Sequence, residues 1–211
     1  FVALPSMASL PARRWAAVIL EHAARETGRR AQQGDEHAMR AFVQDGVAQA
    51  FERLLADREP LVWRRAAAAR GMLAPWNASM RAAVQSGIDP KLSPTEWRRA
   101  ATSIAAMLSL DLEQSKRLVK QWMSDGGPLA RDPGGASALV WGLARAAEAE
   151  PDAAADLLAR LTERAPLAIA EAACDLAADW GGAGPCEHSL GKITQAIRNH
   201  EAQGEGEEAM H

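Results

Sequence analysis

The segment LVWRRAAAARGML, residues 61–73, returns thirty-four residues later as TEWRRAATSIAAML, residues 95–108. A run of this kind, repeated at such a spacing, constrains the fold more than any other feature of the chain. It is the length of one helix, a turn and a second helix, so the second copy marks the same place in the next two-helix unit. Weaker partners stand at Trp15 in RRWAAVIL and Trp141 in VWGLARAA, giving tryptophan spacings of 48, 34 and 44 residues. The expectation is that Trp15, Trp63, Trp97 and Trp141 hold matching positions between stacked units, where a large indole fills the space that small alanine faces leave.

Composition supports helices throughout. Alanine supplies 47 of the 211 residues and tyrosine is lacking. Alanine loses no side-chain entropy in a helix, whereas strands favour branched and aromatic side chains. Proline and glycine then divide the chain into ten helical segments: 11–27, 37–56, 60–73, 75–87, one opening at the Ser93-Pro94-Thr95-Glu96 cap, 111–124, one after RDPGG, and three more opening near Pro151, Pro166 and Glu187. Most carry apolar residues at spacings of three and four. The predicted fold is therefore all-α and single-domain, an α-solenoid of about five antiparallel hairpins over 11–203. An N-terminal extension occupies 1–10, and an acidic tail predicted to be disordered occupies 204–211.

The starts EPLVWRRAAAARG and APLAIAEAACDLA resemble the first helices of HEAT and armadillo repeats. That resemblance implies a curved array of helix pairs working as a scaffold or binding platform. A few such families bind or repair DNA.

Charge is divided unevenly. Residues 1–125 hold 18 basic and 13 acidic residues, or +5, and residues 126–211 hold 6 and 14, or −8. The pairs Arg64-Arg65 and Arg98-Arg99 lie beside the repeated tryptophans, with Arg13-Arg14 at a similar place, and a stacked array would align them into a basic strip able to grip carboxylates or phosphates in bidentate fashion. The bland alternative pairs these arginines with Glu59, Glu96 and other neighbouring acids. The second helices add Arg53, Arg81, Lys116 and Lys120 as polar contacts for a protein partner. A pI near 6.0 argues against a duplex-binding domain, which is usually strongly basic.

Catalytic chemistry finds no foothold. No GxSxG elbow, GxxxxGK loop or strand-borne GxGxxG is present. Cys174, Cys186, His188 and His200 lack CxxC or HxxxH spacing, so neither a metal nor a cofactor is expected. No apolar run reaches the length of a membrane span. The opening FVALPSMASLPARRW places its charges after its apolar run, the wrong order for a secretory signal, and suggests a processed or incompletely observed start. The resulting expectation is a cytoplasmic, non-enzymatic protein-interaction or scaffold module. Its alternative is a nucleic-acid-binding or base-repair enzyme on the same repeats.

Overall fold

The computed structural model describes residues 9–42, 45–89, 91–132, 135–146 and 149–164. It is all-α, with ten helices and no strand among the described residues: α1 (Leu10–Gln32), α2 (Glu36–Phe42), α3 (Asp45–Leu55), α4 (Pro60–Leu73), α5 (Ala78–Gln85), α6 (Pro94–Ala106), α7 (Leu112–Trp122), α8 (Pro128–Arg131), α9 (Gly135–Ala146) and α10 (Pro151–Arg164). No described helix is long and apolar enough to cross a membrane. The segments expected from Pro166 and Glu187, the 204–211 tail and the Cys174, Cys186, His188, His200 set lie outside the described residues.

Four helices make a row in chain order, α1 on α4, α4 on α6 and α6 on α9. The others flank it: α2 packs on α1, α3 and α5 on α4, α7 on α6 and α10 on α9. Small residues let the row close up. A Cβ placed on Gly71 of α4 would stand 2.0 Å from the Ser103 carbonyl oxygen of α6, and one on Gly142 of α9 would stand 2.6 Å from that of Thr102. The α6 hydroxyls bond across both seams, Ser103 Oγ donating to the Ala67 carbonyl at 2.7 Å and Thr102 Oγ1 to the Ala138 carbonyl at 3.2 Å. Alanines 66–69 of α4 are fully buried and join two apolar clusters, one around Leu20, Phe51 and Leu54, the other around Ile104, Trp122, Trp141 and Leu161. Burying each such leucine or isoleucine contributes about 1.5–3 kcal/mol.

Local signals explain the helix boundaries. At α6 the anticipated cap is complete: Ser93 Oγ accepts from the Glu96 amide at 3.3 Å while the Glu96 carboxylate accepts from the Ser93 amide at 2.8 Å. The hydrogen bond from the Ser93 side chain, followed by that from its backbone, holds the Glu96 carboxyl below its ordinary value of 4.5. Its contribution is thus complete above 4.5 and is lost as pH falls through the lower folded value. Ser93→Ala should cost about 1 kcal/mol in a urea titration, and that difference should shrink as pH falls below 4.5.

Elsewhere a stronger cap displaces an expected start. α5 begins not at Pro75 but at Ala78, because the Asn77 side chain accepts from the Met80 amide at 3.0 Å. α1 continues past residue 27 to Gln32, ending before Gly34, whose φ of 92° suits glycine. Within the second segment the described residues are helical as α2 and α3, with Asp35 accepting from the amides of His37 and Ala38 at the start of α2. α8 occupies part of what the sequence reads as a long loop, opened by Pro128 at a first-turn position.

The four tryptophans do not hold matching positions. Trp63 and Trp97 are each the fourth residue of their helices, but Trp15 is the sixth of α1 and Trp141 the seventh of α9. Two residues of helix turn a side chain by about 200°. Trp15 accordingly is 68% exposed, whereas Trp63 and Trp97 are buried and Trp141 is fully so.

Candidate functional site: an arginine cleft

The first turns of α4, α6 and α9 open onto one cleft of about 380 Å³. α4 contributes Trp63 and Arg64, α6 contributes Arg98 and Arg99, α9 contributes Ser137, and the turn before α4 contributes Asp57 and Arg58. Helix starts carry partial positive charge from unpaired amides, so this edge of the row favours anions even before its side chains are counted.

Each arginine is placed differently. Arg98 grips Asp132 in bidentate fashion, Nε to Oδ2 at 3.0 Å and Nη2 to Oδ1 at 2.9 Å, and that hydrogen bond raises the guanidinium pKa further. Arg99 Nη2 donates to the Asp57 carbonyl at 3.4 Å, while its Nε is buried without an acceptor. The Arg64 guanidinium stands 5.7 Å from the centre of the Trp63 ring, a cation–π arrangement. Arg58 is exposed. Four guanidiniums, those of Arg58, Arg64, Arg98 and Arg99, thus gather around the cleft, with Asp57 on its wall and Asp132 holding Arg98.

A forward latch fixes this edge twice. Arg13 Nε of α1 donates to Asp57 at 2.7 Å, three residues before Pro60, as Arg98 of α6 reaches Asp132, three residues before Gly135. Arg14 joins the first latch by donating to Glu59 at 2.9 Å. α1 and α6 thus each hold the turn that precedes a later row helix, and the first of these latches accounts for Arg13 and Arg14.

Of the arginines expected to form a strip, the cleft unites Arg64, Arg98 and Arg99 but not Arg65. Arg65 points from α4 to α1, where its Nη1 donates to Glu21 Oε2 at 2.6 Å, with only 13% of the side chain exposed. Arg53 is exposed on α3. Arg81 is exposed on α5 and turns back on the Ala74 and Pro75 carbonyls. Lys116 and Lys120 line an open groove along α7 with Arg117 and Glu113. Arg58 was not foreseen, although its place just before the helix-opening Pro60 was a signal, since a cation there adds to the positive helix end.

Among the described residues no group of three or more His, Cys, Asp or Glu is arranged to hold a metal ion. The arrangement can bind an anion, and it offers no nucleophile paired with a base. No family model matches the chain, and no similar curated protein or solved structure was found.

Proposed function

We propose that this chain is a non-catalytic protein-interaction or scaffold module that receives an acidic segment of a partner protein in the arginine cleft. One observation carries the reading: four arginines and an indole converge on a single cleft. Aspartate or glutamate side chains of a partner would meet guanidinium donors near positive helix ends, and charge-assisted bonds of that kind are the stronger class. In the same reading the row and its flanking helices are successive HEAT- or armadillo-like hairpins of a solenoid, and the module works in a reducing cytoplasm.

Titration with a labelled peptide rich in aspartate and glutamate tests this. Arg58→Glu with Arg64→Glu should weaken capture by about 100-fold, since each tenfold is 1.4 kcal/mol, with the helical circular dichroism unchanged. Arg65 is kept intact because of its bond to Glu21. A peptide affinity that the double variant leaves unaltered would remove the cleft as the docking site. The stacked Trp63–Arg64 pair also suits a nucleic-acid base, and that second reading requires retention on duplex DNA that falls steeply with salt.

A further inference from the structure

Arg99 also lines a second pocket, of about 260 Å³, that it shares with Arg70 of α4. The pocket opens between α3, α4, α5 and α6, and much of its remaining wall is apolar, including Leu55 and Leu92. Both arginines are held by neutral groups. Arg70 Nε donates to Ser103 Oγ at 3.0 Å. Among the described residues no carboxylate comes within ion-pair distance of Arg70 or Arg99. Arg99 adds the buried Nε that lacks an acceptor.

A largely buried guanidinium with no carboxylate close enough to bond is costly to hold and favours an anion that can reach it. Burial drives the Arg70 pKa down to about 10, with the Glu52 carboxylate opposing that fall and the charge of Arg99 adding to it. The group still carries its proton at neutral pH.

We infer that this pocket binds a small monocarboxylate, which places its carboxylate on Arg70 and Arg99 and its hydrocarbon body against Leu55 and Leu92. The charge at the mouth selects one negative charge over two. Glu52 and Glu96 both line the pocket, and Glu96 stays ionised through its bond to Ser93. A phosphate dianion would meet both carboxylates at close range, whereas a single carboxylate satisfies the guanidiniums and leaves the apolar wall to a hydrocarbon chain. The carboxylate can belong to a free organic acid or to the C-terminus of a peptide.

Calorimetric titration distinguishes these sources. The probes are hexanoate, a short peptide ending in a leucine carboxylate, the same peptide as its C-terminal amide, and inorganic phosphate. Binding of hexanoate or of the peptide acid, but not of the amide, is expected, and the stronger of the two identifies the source. Arg70→Met, which keeps an unbranched apolar stem and removes the guanidinium donors, should weaken that binding at least tenfold. Ala56→Trp, at the exposed rim, should block entry without disturbing the core. The Arg58→Glu, Arg64→Glu variant should bind the carboxylate as the parent does, which separates this pocket from the acidic-peptide cleft. Silence from both carboxylates, tighter binding of phosphate, or an affinity unaffected by Arg70→Met and Ala56→Trp would overturn the assignment.

Discussion

Glu21→Gln is expected to cost about 3–5 kcal/mol of folding stability, as much as the removal of one partner from a buried ion pair usually does. Glu21 of α1 is 3% exposed and ties three helices of the row. It accepts from Arg65 Nη1 of α4 at 2.6 Å, and Arg145 Nε of α9 lies 2.9 Å from its other oxygen. The second approach is an ion pair and not an aligned hydrogen bond. Arg145 spreads over the Trp141 ring at 4.1 Å, and Arg25 completes the set at 3.9 Å. A neutral amide would keep the shape and remove the carboxylate that these three ion pairs share. Urea unfolding followed by circular dichroism should then show a midpoint lower by roughly 1–5 M, given slopes of about 1–3 kcal/mol per molar. Glu21→Leu combined with Arg65→Met and Arg145→Met should recover most of the loss, because an apolar trio of similar volume needs no counter-charge. A loss under about 1 kcal/mol for Glu21→Gln would mean that water already screens the cluster.

That cluster shows why part of the structure was legible in the sequence and part was not. Caps and prolines act within four residues, so Pro60, the Ser93–Glu96 box and Pro151 mark their helices directly. Competition between neighbouring signals is harder to read, as when Asn77 takes over the start that Pro75 advertises. The repeated Trp-Arg-Arg locates equivalent turns of α4 and α6, yet it does not say where adjacent arginines point. Successive residues diverge by about 100° on a helix, so Arg64 faces the cleft and Arg65 faces Glu21, 44 residues away. Trp15 shows the opposite error: a matching letter at a register two residues further along its helix lands on solvent. The pocket around Arg70 was invisible for a related reason, since its walls come from four helices.

Gly71→Ala should destabilise the protein by about 1–3 kcal/mol, the usual cost of forcing an extra methyl into a packed seam. The sign is the informative part, because alanine is favoured over glycine inside a helix by about 1 kcal/mol. Here that gain is overridden by a Cβ 2.0 Å from the Ser103 carbonyl oxygen and 2.9 Å from its carbon, both backbone atoms that no rotamer change can move. α6 must therefore retreat from α4, which stretches the 2.7 Å bond from Ser103 to the Ala67 carbonyl. Gly126→Ala is the matched control. Its added carbon would meet nothing within 4 Å, and the residue has no positive φ, so its stability should hold or rise slightly. Gly126 lies in the turn between α7 and α8, so the two variants compared in one urea series separate steric exclusion at the seam from the effect of a glycine-to-alanine change at an open site. The seam also carries the cleft, with Arg64 on one side and Arg98 and Arg99 on the other. Spreading α4 from α6 should therefore weaken acidic-peptide capture at denaturant-free conditions where Gly71→Ala is still folded, and unchanged capture would place the docking surface elsewhere on the molecule.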